Sequence, residues 1–586
     1  MRNRRTSAVI ALAAGAALLL SACAPGGSGG ETAGAGAQRG GTLKIASVGD
    51  IDRIDPLQAY TAEAWTVARA TTRQLVTTSG STESVGDDIE IVPDLAKSWD
   101  VSADGLTYTF HLRDNAYFSG ASTRKITADD FVYAIKRFAD PNAQVGAIAY
   151  YNALLDGFAE YGAEFAKVKT GDLTAVKEFI DSHEISGVTA TDDTTLVLKF
   201  TQPANDILEV LTLPFVSPLP EEVVSKYFSD SLEFRQNFAS SGPYYISSYS
   251  PNNSLELKRA ETYDAAADPV RAAYADTILI DTTVSSADAV AQQLQTGEAD
   301  LPLYVRSFPA TVISQYQQTK ADYLHTSPGG QQVFLSINGI SDGTSQGQKG
   351  LKELSVRQAL SYAIDKSAVV KAIGGSSAAN VQGEILNSTL VGHTGEDPYA
   401  TTDNAGDPAK AKQLLEDAGF AGLKLNLAYR TSDEFTKIAT SLQASLAKSG
   451  ITVNLVPVPE ADYWAFLADS ENADQWDVAL ATYTPDWQGN SARQILGGWL
   501  DSDYASPGAV WGIAYDNPDL NAAVEKAFVA KDPEAAWQEA NTIATKDLAW
   551  VPLLERVVTV PTSTNVTKWT WASLPGGADW TNVAVK

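Results

Sequence analysis

Strict alternation of apolar and polar residues opens the folded part of the chain: Leu43 and Ile45 stand between polar neighbours and predict a strand from Thr42 to Val48. A β-rich stretch follows over Pro93 to Gly120, with Tyr108, Phe110 and Leu112 on the buried face of one strand. The period then lengthens. Thr127 to Asp130 has capping-box form with Asp in place of Glu, and Phe131, Ala134, Ile135 and Phe138 recur at helical spacing. Val188 to Phe200 returns to period two, as a hairpin turning at Asp192-Asp193. In the second half Asp407 and Pro408 start a helix that Gly419 closes. Leu423 to Tyr429 then alternate as a strand, Phe435 to Leu446 form a helix, and Ile451 to Leu455 alternate again. A short helix near Tyr463 to Leu467 and a strand over Trp476 to Tyr483 complete a strand, helix, strand series, which predicts a mostly parallel sheet with right-handed crossovers. Solutes bind beyond the carboxyl ends of strands in such sheets, and Asp486 lies just past one of those ends.

The extreme N-terminus follows different rules. Met1 to Arg5 is basic, Ala8 to Leu20 is apolar but shorter than the roughly 20 residues that span a bilayer, and small residues follow, as in an export signal. Leu20-Ser21-Ala22-Cys23 resembles the bacterial lipobox, in which cleavage precedes a cysteine that becomes lipidated. Cys23 is the only cysteine in the chain, so it has no disulfide partner. Ala24 to Gly40 is mostly Gly, Ala, Ser and Thr with almost no bulky apolar residue, the composition of a flexible tether. No other stretch is apolar enough to span a membrane.

The chain has 586 residues, more than one core usually organises. It carries 43 basic against 71 acidic residues, a net charge of −28 that argues against nucleic acid as a partner and mildly favours a cationic solute.

Several blocks together resemble the peptide-binding family of bacterial extracellular solute-binding proteins, family 5, which serves ABC importers of dipeptides, oligopeptides and nickel. They are Pro93 to Trp99, Asp104 to Arg113, Tyr117 to Gly120, Thr127 to Asp130, Ser241-Gly242-Pro243-Tyr244, Leu294 to Asp300, Val356 to Asp365 and Ala409 to Gly419. The resemblance runs from about Gly41 to the end. Arg357, within one block, is expected to be structural because its helix buries Val356, Leu360, Ala363 and Ile364.

What the resemblance implies is an α/β, two-lobed periplasmic-binding-protein-like fold of type II, with an extra subdomain inserted in lobe I and two crossing segments as a hinge. The implied layout is a signal peptide over 1–22, a lipidated cysteine and linker over 23–40, lobe I over 41–84, the insertion over 85–187, lobe I again over 188–303, lobe II over 304–549, and lobe I completed by 550–586. The crossings are expected near Asp300 to Val305 and near Trp550 to Glu555.

The resemblance also implies the chemistry. Family members hold a peptide's main chain as an added strand between the lobes, and an Asp at a strand end takes its α-ammonium. The matching stretch is Tyr483-Thr484-Pro485-Asp486-Trp487, although Tyr replaces a leading Trp and Gly489-Asn490 replaces an acidic-Pro pair. Asp486 is therefore the expected anchor, with main-chain pairing from Thr482, Tyr483 and Thr484 on one lobe and from Thr61, Ala62 and Glu63 on the other. Trp65 and Trp487 flank these segments as packing or as cleft wall. The expected partners are a short peptide, the permease subunits of an ABC importer and, through Cys23, the outer face of the cytoplasmic membrane. A monomer is expected, with no cofactor and no metal.

Three rivals remain. Gly343-Thr344-Ser345-Gln346-Gly347 fits the hydrolase pattern Gly-x-Ser-x-Gly, but in a polar, Gly-rich loop instead of a strand-to-helix turn. His111, His183, His325 and His393 are isolated, which disfavours direct metal binding while leaving a chelated metal open. The 12 Trp suit an oligosaccharide, for which Asp486 would accept hydroxyl hydrogen bonds.

Overall fold

The strand Thr42–Val48 buries Leu43, Ile45, Ala46 and Ser47 and lies inside a five-stranded sheet. It runs parallel to Thr277–Val284 on one side and to Leu301–Pro302 on the other, with Ser254–Arg259 and Tyr244–Ser250 added as an antiparallel edge. The computed structural model describes residues 38–586 except 82–88, 141–142, 144–146, 304, 306–307, 340, 342, 503–514 and 575, so the expected signal, Cys23 and most of the tether lie outside the described residues.

A four-stranded antiparallel sheet joins the same core. Its order is Ala96–Val101, Thr107–Leu112, Thr195–Lys199, Val188–Asp192. The hairpin 188–199 completes this sheet, and its alternating Leu196 and Leu198 bury in the same core as Phe110 and Phe131. Helix Ala128–Phe138 starts with the anticipated box: the Thr127 N–H donates to Asp130 Oδ2 at 2.8 Å.

The other large sheet has six strands, ordered Ala379–Val381, Val551–Pro561, Leu324–Ile337, Val478–Tyr483, Lys424–Arg430, Thr452–Val458. Its last three strands are parallel, as the alternating series predicts. The remaining pairs are antiparallel, so the sheet is mixed and the expectation of a mostly parallel one holds only for residues 424–483. Separate apolar clusters line its faces, one built on Val333, Leu360 and Leu425 and another on Phe334, Trp537 and Trp550. These, set against the core that holds Leu43 and Phe110, are the two lobes.

Leu324–Ile337 and Val551–Pro561 form the long ribbon between them. Their register breaks between Pro328 and Gln332, where Gly329 and Gly330 bulge opposite Arg556. Gly330 has φ +66, and a Cβ on Gly329 would stand 2.9 Å from Val558 Cγ2, so the bulge admits no larger residue without distortion. Residues 551–555 belong to this ribbon, Leu301–Pro302 belongs to the five-stranded sheet, and strand 324–337 belongs to the six-stranded one.

The family-like blocks have structural duties. The Asp94 carboxylate is fully buried between two guanidiniums, with Arg73 Nε at 2.6 Å and Arg271 Nη2 at 2.9 Å, and Arg271 also pairs with Asp268 at 3.1 Å. Asp300 accepts from the Lys44 N–H at 3.0 Å, from Ser563 at 2.9 Å and from Asn565 at 3.1 Å, tying the first strand to the last thirty residues. Asp579 meets Arg69 at 3.1 Å, and Trp580 and Val583 enter the first core.

Arg357 donates to the carbonyls of Leu351, Lys352 and Asp547, each at 3.0 Å, and to Asp547 Oδ1 at 2.8 Å. It thereby closes the C-terminal ends of helices Gln346–Leu351 and Pro533–Asp547. Arg357→Ala is expected to lower stability by about 2–3 kcal/mol, the range for a lost hydrogen bond to a charged group, with ligand affinity unchanged; parallel urea melts and calorimetric titrations check both halves.

The Gly-x-Ser-x-Gly segment opens a helix instead of sitting in a loop. Ser345 caps Gln346–Leu351, accepting from the Gln348 N–H at 3.0 Å and donating to Asp477 at 2.7 Å. A hydroxyl committed to a cap is not poised as a nucleophile. No helix among the described residues is long and apolar enough to cross a membrane.

Candidate functional site

A cavity of 530 Å³ opens between elements of the two lobes, within the usual range for small-molecule sites. From the first lobe come Tyr60, Thr61, Ala62, Glu63 and Trp65; from the second come Gly329, Gly330 and the run Tyr483 to Gln488. A smaller cavity of 140 Å³ adjoins it, sharing Ala62, Gly329 and Thr484.

Asp486 is the acidic centre of the wall contributed by the second lobe. It follows strand Val478–Tyr483, and its backbone N–H donates to Gln494 Oε1 at 2.8 Å. The same oxygen accepts from the Tyr483 hydroxyl at 3.0 Å, so one glutamine fixes both the strand end and the acid. Two phenols from the first lobe reach the carboxylate. Tyr60 lies 2.9 and 3.0 Å from its two oxygens, and Tyr150, on helix Ile148–Leu154, donates to Oδ2 at 2.6 Å.

Burial pushes the Asp486 pKa above its ordinary value, while the hydrogen bonds from Tyr150 and Tyr60 pull it back in part. Burial and the neighbouring Asp486 charge push both phenols well up, which keeps them protonated as donors at neutral pH. The Tyr150 ring also packs edge-on against Trp487 at 5.3 Å.

The expected backbone contacts are reshaped. Thr61 is the N-cap of helix Ala62–Thr71, accepting from the Ala64 N–H at 3.2 Å, so residues 61–63 offer the first turn of a helix and not an extended edge for strand addition. Their place after Asp55-Pro56 is fixed by the Asp55 carboxylate, which Arg137 grips at 2.9 and 2.5 Å. Thr482 is paired with Val333 in the sheet and its hydroxyl accepts from Arg430 at 2.9 Å; it lines neither cavity. Tyr483 pairs with Gln332, and Thr484, just past that last pair, is exposed and accepts from Gln331 at 3.0 Å.

Both tryptophans are wall before they are contact surface. Trp65 is 9 % exposed and donates to the Ala59 carbonyl at 2.6 Å; Trp487 is 3 % exposed and donates to the Asn490 carbonyl at 2.9 Å. Tyr60, Tyr150 and Gln494 are absent from the sequence-based site. Nothing in the local pattern around Tyr150 distinguishes it, because its partner is 336 positions away.

A seam beside the cavity joins the lobes directly. Asp206 pairs with Arg493 at 2.7 Å, the Asn205 N–H donates to the Phe528 carbonyl at 3.1 Å, and Asn490 donates to the Asn205 carbonyl at 3.0 Å.

The histidines are spread through the fold. His111 meets Asp100 at 2.8 Å, His393 meets Glu384 at 3.0 Å, and His325 stacks on Trp569 at 3.9 Å, with burial lowering its pKa to about 4.

Comparison with known proteins agrees with this architecture. Residues 90–517 match the family model described as "Bacterial extracellular solute-binding proteins, family 5 Middle". The dipeptide-binding protein of Lactococcus lactis subsp. cremoris is 30% identical over 464 residues, 76% of this chain and 74% of that protein. Heme-binding protein A of Haemophilus influenzae is 26% identical over 81% of each chain. Among solved structures, clavulanic acid biosynthesis oligopeptide binding protein 2 superposes with a TM-score of 0.79 at 22% identity, covering 94% of this chain and 96% of its own, a likeness of fold. This chain belongs to the bacterial extracellular solute-binding proteins of family 5.

Proposed function

We propose that the protein captures short peptides in the cavity around Asp486 and delivers them to the permease of an ABC importer, held at the outer face of the cytoplasmic membrane by lipid on Cys23. One observation carries the ligand assignment: a desolvated carboxylate at the end of strand Val478–Tyr483, gripped by two neutral hydroxyl donors from the other lobe, lines this cavity. A carboxylate so placed is poised for a cation, and a peptide supplies one at its N-terminus whatever its side chains.

The same cavity presents Thr484, Gln488 and the backbone of Gly329 and Gly330, polar groups suited to a peptide main chain. The L. lactis relative, a dipeptide-binding protein, supports the same class. An oligosaccharide is less well served, since Trp65 and Trp487 leave little ring face for a sugar to stack on.

Native mass spectrometry of the soluble chain from Ala24, purified without denaturation, tests the reading. Short peptides released on unfolding, and missing from an Asp486→Ala sample, are the expected result. A sugar, porphyrin or chelated-metal adduct in their place would sink it.

Acid should weaken the complex. Binding of an ammonium needs ionised Asp486, whose pKa lies above the ordinary carboxylate value of about 3.9, so affinity is expected to begin falling at a pH above that value. Below the raised pKa the dissociation constant should climb about tenfold per pH unit. Titration of one tripeptide from pH 7 to pH 4 checks this, and a flat profile excludes the ion pair.

A further inference from the structure

Resting on the peptide reading above, we propose that the seam joining Asn205 and Asp206 to the second lobe is a latch that lies outside the cavity and sets how long a bound peptide is held. Asp206 and Arg493 are its positioning pair, and they act on every peptide alike because they touch none.

Asn205, Asp206, Arg493 and Phe528 make the seam with Asn490, and none of them lines either cavity. Phe528 ends helix Pro518–Phe528, whose Leu520, Val524 and Ala527 pack in the second lobe, yet its own side chain is buried in the first core. Asn205 caps that helix from the first lobe: its N–H donates to the Phe528 carbonyl at 3.1 Å and its Nδ2 to the Ala527 carbonyl at 2.6 Å. The Arg493 guanidinium lies 5.0 Å from the Phe528 ring centre and pairs with the buried Asp206. Burial and the Asp206 charge push the Glu209 pKa up to about 8, so Glu209 is mostly protonated at neutral pH and Asp206 carries the charge that answers Arg493.

Parting and closing change this seam in opposite ways. Tyr60 and Tyr150 of the first lobe lie across the Asp486 carboxylate, so an ammonium reaches it when these phenols withdraw with their lobe. With the lobes apart, water satisfies the helix end and both ions; on closure Asp206 and Arg493 leave water and each depends on the other. Helix Ala492–Leu496 joins the seam to the ligand, carrying Arg493 to Asp206 and Gln494 to the Asp486 N–H. Tyr150 adds a second link: its hydroxyl donates to Asp486, and its ring centre lies 5.3 Å from the Arg493 guanidinium. Loss of either charge therefore destabilises the closed state, so the peptide leaves sooner while its entry into the open state is unchanged.

The test is stopped-flow fluorescence of Ala-Ala-Leu and Ala-Phe-Ala with the soluble chain from Ala24, as wild type, Asp206→Asn, Arg493→Gln and the double variant. Each single change is expected to speed dissociation of both peptides at least about tenfold, with association altered less than about threefold. The double variant should lose no more than either single one, because the pair fails as a unit. Unchanged dissociation in single variants that melt near wild type would overturn the latch while leaving the Asp486 anchor standing. So would effects that differ strongly between the two peptides, since they would put the pair in contact with ligand. Binding of neither peptide by wild type would instead overturn the peptide reading itself. Should the charge variants fail to fold, Asn205→Ala, which removes only the side-chain cap, decides: dissociation about threefold faster is expected, and an unchanged rate overturns the proposal.

Discussion

Replacing Asp486 by alanine is expected to weaken peptide binding by about two to four orders of magnitude, the largest single effect on affinity anywhere in the cavity. The estimate follows from desolvation. A peptide ammonium entering this site loses water and recovers its energy from one carboxylate, and removing one member of such a buried pair costs about 3–5 kcal/mol. Tyr60 and Tyr150 cannot substitute, since burial holds them protonated even without Asp486. Asp486→Asn keeps the shape and loses the charge, so it should fall nearly as far. The free variant should melt close to wild type, because burial disfavours the ionised carboxylate in the empty site. Titration calorimetry with a tripeptide, paired with a thermal melt, separates lost binding from lost folding. Retained affinity with an intact melt would remove Asp486 from the site.

The second large effect is on stability. Asp94→Ala should cost about 3–5 kcal/mol, a substantial part of the 5–15 kcal/mol that ordinarily separates folded from unfolded chains. Asp94, Arg73, Arg271 and Asp268 form a dry cluster of two acids and two guanidiniums, and the alanine leaves the positive charges in excess where water cannot reach them. The pH dependence has a definite sign. Burial alone would raise the Asp268 pKa, but Arg271 and Arg73 overcome it and hold the group well below its ordinary value. A depressed folded-state pKa contributes stability that is complete above the unfolded value near 4 and is lost as pH falls below it. Urea melts at pH 7 and pH 3 should therefore show a smaller wild-type stability in acid. A variant as stable as wild type at pH 7 would contradict the assignment.

Much of the fold was legible because half-buried strands and capped helices write themselves locally. Leu43 with Ile45, Tyr108 with Phe110, and Leu425 with Leu427 each declared a strand, and Thr127 with Asp130 declared a helix start. What was hidden depends on pairing at a distance. Strand 324–337 reads as a loop in its middle, because Pro328-Gly329-Gly330 interrupts the alternation where the ribbon bulges. The antiparallel half of the six-stranded sheet escaped for the same reason. Asp486 was visible through a family-like strand end, whereas Tyr60 and Tyr150 reach it from 426 and 336 positions away. Residues 61–63 were placed at the cavity but read as extended, since a single Thr N-cap with no following apolar period gives little notice of helix Ala62–Thr71.

The ties from Lys44 to Asp300 to Ser563, and from Arg69 to Asp579, bind the first strand to the last residues. The first lobe therefore cannot complete its core until residues 563–583 have joined it. Until those residues have been made, strand Thr42–Val48 and helix Ala62–Thr71 lack these partners, so this core assembles late in synthesis.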